Sequence, residues 1–340
     1  MTTTDNVERA RQLVELARAA EKWGKNDKAL GLFDDALAVL GDNCTDPVTA
    51  DVLRWKGTLL RERGETEAAF RCYSASLEKA RACGSVAHQA HALNCLGTIS
   101  QRRCDHKETE RLYAEASELA VKAGEARLLG MIEQNRGVLA SMRGDYGQAG
   151  LFYANSLSAF ETSGDAEPMS WVLNNLGILN IKLRNFGEAI TYLERALDLA
   201  VGRQDPIVSN VITLNLADAW MGLGRLDKAD ELSDDALDQA QRRGDHLSAA
   251  GALRIRAGIE RQRGALDKSI ATLRIAIYEA EGAEDRLLHA EMLRELGEIS
   301  RAVGNAGAAR SALREAVDSF EKIGATRELA ELKGQLELLQ

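Results

Sequence analysis

The chain has 340 residues and a formal charge of −9, which makes phosphate backbones poor partners and argues against nucleic acid. Aromatic residues make up 5% and Pro occurs three times, a composition that favours helix throughout and leaves little material for a β core. No stretch approaches the roughly 18 uncharged apolar residues of a membrane span, and the N-terminus lacks the basic, apolar and small-residue succession of a secretory leader, so the cytoplasm is the expected location.

From the N-terminus, Asp5 with Glu8 three residues later predicts the N-cap of a first helix. That helix carries Ala17, the first of a series of small residues at a constant interval of 40: Ala17, Gly57, Gly97, Gly137, Gly177, Ala217, Ala257 and Gly297. Seven residues after each lies a turn position, held by Gly24, Gly64, Cys104, Gly144, Arg184, Gly224, Gly264 and Gly304. A bulky group follows sixteen after the small residue, at Phe33, Tyr73, Tyr113, Tyr153 and Leu193. Nineteen after it the chain is small again, from Ala36 and Ser76 through to Ala316. Small and large residues at helical spacing around a turn predict two antiparallel helices in close contact. Eight such units run over about 5–44, 45–84, 85–124, 125–164, 165–204, 205–244, 245–284 and 285–324. Pro47, Pro168 and Pro206 are expected just before first helices, and Gly84, Gly124, Gly164, Gly244 and Gly324 are expected as left-handed stops after second helices. Leu329, Leu332, Leu336 and Leu339 form one stripe on a last helix, 326–339, which would cap the final repeat. The whole chain, 1–340, is thus expected to be one all-α repeat domain.

The pairing of Leu-Gly with a later Ala, bulky residue and Ala resembles the tetratricopeptide repeat. Repeat five, LNNLGILNIKLRNFGEAITYLERALDLA from Leu173 to Ala200, is similar to a kinesin light chain repeat almost position for position. The 40-residue period also resembles that of Leu-Gly-Asn repeat adaptors and of peptide-sensing bacterial regulators. This resemblance implies a right-handed superhelical solenoid of eight helix-turn-helix repeats with a C-terminal capping helix.

In such a stack the first helices line a concave face, so the binding residues are sought there. Inward positions in repeats four to six hold Met131, Trp171, Ile178, Leu214 and Met221, an apolar set unusual for a solvated face. Arginines flank it: Arg54 and Arg61 toward one end, and Arg254, Arg261, Arg294 and Arg301 toward the other. They point to a ligand with acidic flanks around an apolar anchor. Amides cluster in the middle, at Asn94, Gln134, Asn135, Asn174, Asn175 and Asn215, each offering both a donor and an acceptor. The resemblance implies that Asn174 and Asn175, and with them Asn94, Asn135 and Asn215, contact the main chain of a bound peptide. A second reading has Asn135 and Asn215 bond a neighbouring helix and set repeat-to-repeat geometry, and has the apolar residues half-covered by the fold itself.

Other chemistry is weakly represented. His88, His91 and Cys95 fall at i, i+3 and i+7, a spacing compatible with a metal, but no CxxC or HxxxH accompanies them, and no metal or other cofactor is expected. The five cysteines, an odd number without a secretory pattern, are expected as reduced thiols. No phosphate-binding loop, nucleophile elbow or zinc-protease motif occurs, so an enzyme is not expected. The expected function is a scaffold or adaptor that binds a protein or peptide. Its alternatives are a peptide-gated sensor whose superhelix changes shape, and a structural protein that assembles with copies of itself.

Overall fold

A computed structural model describes residues 3–42, 44–282, 285–323 and 326–337. The described residues form seventeen α-helices and no strand. The first helices of the repeats are α1 (Thr3–Lys22), α3 (Val48–Glu62), α5 (Val86–Arg102), α7 (Ala126–Met142), α9 (Ala166–Lys182), α11 (Pro206–Gly222), α13 (His246–Gln262) and α15 (Arg286–Ala302). The second helices are α2 (Asn26–Leu40), α4 (Thr66–Ala82), α6 (His106–Ala123), α8 (Tyr146–Ser163), α10 (Phe186–Gly202), α12 (Leu226–Arg243), α14 (Leu266–Gly282) and α16 (Ala306–Ile323). The last helix, α17 (Thr326–Glu337), packs on α16. The fold is an all-α helical-repeat solenoid.

Two compact units divide the chain, 1–168 and 169–340. Within the first, α1 to α8 stack in chain order as four hairpins; within the second, α11 to α16 do the same. Successive first helices also touch one another, α1 to α3 to α5 to α7 in one unit and α11 to α13 to α15 in the other. First helices therefore form a continuous row on one face of each stack, and the candidate residues lie on these rows.

The 40-residue pattern is what closes each hairpin. Ala36, Ser76, Ala116, Ser156, Ala196, Ala236, Ala276 and Ala316 are all buried. The two serines among them satisfy their hydroxyls on a first helix, Ser76 donating to the Ala50 carbonyl and Ser156 to the Gly130 carbonyl, each at 2.7 Å. Opposite, the small first-helix residue receives the bulky one: a Cβ placed on Gly97 would stand 2.4 Å from Tyr113 Cε1, and one on Gly177 2.4 Å from Leu193 Cγ. No real Cβ tolerates such a distance, so the helices approach this closely only because the position is Gly.

Every turn position is left-handed, including the two that are not glycine, Cys104 at φ 59° and Arg184 at φ 60°. A side chain there is strained by about 1–2 kcal/mol, partly offset by the greater unfolded-state entropy of Gly. Cys104→Gly and Arg184→Gly are each expected to raise stability by about 0.5 kcal/mol, measurable as an increase in the urea midpoint. Gly84, Gly124, Gly164 and Gly244 are left-handed as expected. Gly324 and Leu339 lie outside the described residues, and α17 is described to Glu337, with Leu332 buried in a cluster that includes Leu313 and Phe320 and with Leu329 and Leu336 packed against that cluster.

Two expectations at helix starts need correction. The first helix begins at Thr3, so Asp5 is not its N-cap; it sits in the first turn, where its charge favours the helix dipole. Pro168 is the third residue of α9 rather than a residue preceding it, a position whose missing N–H has no intrahelical acceptor to lose. Pro206 opens α11 and Pro47 is the N-cap of α3, close to where the sequence placed them.

Candidate functional site

In the first unit, Asn94 on α5 is 6% exposed, and its Oδ1 accepts a hydrogen bond from Asn135 Nδ2 on α7 at 3.0 Å. Asn94 is three residues before its small position and Asn135 two before the next, which separates them by 41 residues rather than 40. The extra residue comes from the stagger between adjacent first helices. Beside this pair, Gln134 is half-buried and Met131 is 39% exposed.

The second unit repeats the arrangement. Asn174 on α9 is buried and accepts from Asn215 Nδ2 on α11 at 2.8 Å. Trp171, Asn175 and Ile178 are half-buried along α9. Leu214 and Met221 are half-buried against α13, where Gly251 and Gly258 make room for them: added Cβ atoms there would come within 3.1 Å of Leu214 Cδ1 and 2.7 Å of Met221 Sδ. Much of each of these two side chains is thus spent on helix packing.

The arginines are largely engaged within the chain. Arg54 donates to Asp51 at 2.8 Å and stacks 4.0 Å over the Trp55 ring, and Arg61 approaches Glu62 at 3.6 Å. Arg254 donates to Glu295 at 3.1 Å and lies 3.7 Å from Asp218; Arg261 lies 3.5 Å from Glu298. Burial opposes the charge on Arg254, but Glu295, Asp218 and Glu291 outweigh it and hold its pKa above the usual range. Arg294 is half-buried, with an Nε that has no hydrogen-bond partner among the described residues, and Arg301 is exposed.

Tetratricopeptide repeat models match residues 14–82 and 172–200. The chain carries tetratricopeptide repeats in both segments. Among solved structures, a tetratricopeptide repeat protein from Parabacteroides merdae is 19% identical over 86% of this chain and 98% of that one, with a TM-score of 0.62. The apo form of the quorum sensor NprR from B. thuringiensis is 15% identical over 92% of this chain and 87% of its own, at a TM-score of 0.69. A Rap protein complexed with competence and sporulation factor is 13% identical over the full length of both chains, at 0.60. At these identities the likeness is one of fold. Comparison with curated proteins finds no match.

Asn135 and Asn215 thus bond a neighbouring first helix, as the second reading of the sequence had it, whereas Glu295, the partner of Arg254, was not foreseen. Glu295 stands to Arg254 as Asn135 stands to Asn94 and Asn215 to Asn174, again 41 residues on. Repeats three and four, five and six, and seven and eight are therefore each joined by a polar rung in one register. Offset 41 was the signal, and a search at the 40-residue period does not find it. Among the described residues no group of three or more His, Cys, Asp or Glu side chains is placed to hold a metal ion, and no helix is long and apolar enough to cross a membrane.

Burial, helped by the Arg54 guanidinium, holds His91 on α5 down to about 4, with Asp51, His88 and Arg127 also facing it. Unfolded, its imidazole titrates near 6.5. Between those values the unfolded chain binds a proton that the native chain refuses, so stability is full above about pH 6.5 and falls as pH drops toward 4. His91→Gln is expected to flatten this part of the profile, checked by melting both proteins from pH 7 to pH 4.5.

Proposed function

We propose that the row of first helices binds an extended peptide or a segment of a partner protein, and that the chain serves as an adaptor. The amide rungs are the observation that carries this reading. Each rung uses one donor and one acceptor, which leaves Nδ2 of Asn94 or Asn174 and Oδ1 of Asn135 or Asn215 without a partner among the described residues. A donor beside an acceptor, held rigid by a bond to the next helix, suits a peptide unit whatever side chains flank it. The half-buried Trp171, with Ile178 beside it on α9, is the proposed apolar anchor. Acidic flanks on the ligand would be met by Arg294 and Arg301, because Arg54, Arg254 and Arg261 already face carboxylates of their own chain. Continuation of the two stacks as a single eight-repeat coil belongs to the same proposal, as does a place in the cytoplasm.

Peptides selected from a displayed random library against the full chain provide the test. Asn174→Ala and Trp171→Ala should each weaken the selected peptides about tenfold or more while leaving the circular dichroism spectrum unchanged. Unchanged affinity in both variants would remove the first-helix row as the binding face.

A second reading, a peptide-gated sensor, is favoured by the division into two compact units and by the likeness to a quorum sensor. A radius of gyration that changes by several ångströms when a selected peptide is added would support it over the rigid adaptor. A radius that grows with protein concentration alone would favour self-assembly.

A further inference from the structure

At the start of α5, Ser85 Oγ lies 2.6 Å from His88 Nδ1, and His88 Nε2 lies 3.1 Å from Asp51 Oδ2 on α3. The second oxygen of Asp51 accepts from Arg54 at 2.8 Å, so the carboxylate is held at both ends. Burial alone would raise its pKa, but His88 and Arg54 bring it down to about 2, and it is ionised at neutral pH. An ionised carboxylate only accepts hydrogen bonds. The proton on a neutral His88 must therefore sit on Nε2, which turns the Nδ1 lone pair toward the Ser85 hydroxyl. That is the order of groups that activates a serine: hydroxyl, unprotonated ring nitrogen, protonated ring nitrogen, carboxylate.

Two features complete a site. Ser85 occupies the N-cap of α5 without making a side-chain cap bond, so its hydroxyl is not used by the N–H groups of the first turn, which remain able to stabilise negative charge at that helix end. A cavity of about 470 Å³, lined by Val14, Val48 and Trp55 together with Arg11, Glu15 and Asp46, opens against His88 and Asp51, with the half-buried Ser85 bonded to the other nitrogen of the same imidazole. Neither feature is used by the amide rungs.

We propose that Ser85 is a histidine-activated nucleophile that accepts the acyl group of small carboxylic esters. Ser85 Oγ attacks the carbonyl carbon and its proton passes to His88 Nδ1. As the tetrahedral adduct collapses, the bond to the leaving oxygen breaks and that oxygen takes the proton from His88. The acyl group remains on Ser85 as an ester. Water activated by the same imidazole can then release it as a carboxylic acid, restoring the hydroxyl. Asp51 is a positioning residue in this scheme, fixing the tautomer and the ring plane.

The probe is p-nitrophenyl acetate, mixed with the full chain at pH 7.5. A burst of about one equivalent of p-nitrophenolate is expected, with the acetyl group mapped to Ser85 by peptide mass spectrometry. Ser85→Ala should abolish that adduct, and Ser85→Cys should keep an adduct at the same position, which guards against loss of fold in the first variant. His88→Asn should slow acylation at least tenfold and remove the imidazole inflection from its pH–rate profile. Asp51→Asn should also slow acylation and shift that inflection, and Asp51→Glu should recover part of the rate. Acetyl groups confined to lysines and the N-terminus, or a Ser85 acetylated equally fast without His88, would reduce the arrangement to a helix cap and overturn the proposal.

Discussion

Phe160→Ala is expected to destabilise the first unit by about 4 kcal/mol, a large part of the stability of any single domain. Phe160 on α8 is fully buried, and its ring presses into the space above Gly130 on α7, where an added Cβ would stand 2.7 Å from Cε1. Corresponding positions in repeats two, three and seven are Ala on both helices, as with Ala80 and Ala50 or Ala120 and Ala90, and where repeats one and eight carry the bulky Leu40 and Phe320 the residue opposite is Ala10 or Ala290 rather than Gly. Here one helix has given up its methyl group and the other has filled the gap with a ring. Truncating the ring therefore leaves a void that neither helix can close, because the residue opposite has no side chain. Adding Gly130→Ala to the Phe160→Ala protein should recover about 1 kcal/mol through helix propensity alone, whereas Gly130→Ala in the parent should be destabilising, since its methyl group has nowhere to go. Urea unfolding of the four proteins gives the cycle, and additive effects would show that the two residues do not share a cavity.

Gly97→Leu is expected to cost about 3 kcal/mol, near the upper end of the usual range for overpacking. Tyr113 leaves no volume at this position, and its ring cannot swing aside, because it is fully buried and its hydroxyl donates to Gln101 Oε1 at 3.0 Å. Relief requires α5 and α6 to separate. In a repeat stack that displacement also loosens both neighbouring interfaces, so amide exchange should rise in α4 and α7 as well as at the site. Increased exchange confined to α5 and α6 would mean that the hairpins are less tightly coupled than the packing implies.

Both substitutions probe what was most legible in the sequence. Gly97 and Tyr113 are sixteen residues apart, and a repeat seen eight times allows the contact to be inferred from spacing alone. Helix boundaries were less accessible. Asp5 looked like a cap because its side chain can cap, yet Thr3 and Thr4 also accept helical geometry, and the helix runs through them. Cys104 and Arg184 carry no sign of left-handed backbone in their own chemistry; only their register with glycines elsewhere suggested a turn.

Candidate binding residues were legible as positions but not as states. That Asn94, Asn135, Asn174 and Asn215 lie on first helices follows from the repeat; that they join in pairs does not. Leu214 and Met221 read as groove residues, and their half-burial depends on Gly251 and Gly258 in the next first helix. Arg254 read as a cation available to a ligand, until Asp218 and Glu295 were seen around it.

The residue order by itself determined the helical hairpins, their number and the faces they bury, because helix formation and hairpin packing act between residues close in sequence and recur with the period. Only the tertiary structure decided which polar groups meet. Those meetings occur between successive repeats, where the stagger of one helix against the next moves the partner from residue 40 to residue 41, and a shift of one residue along a helix turns a side chain by about 100°.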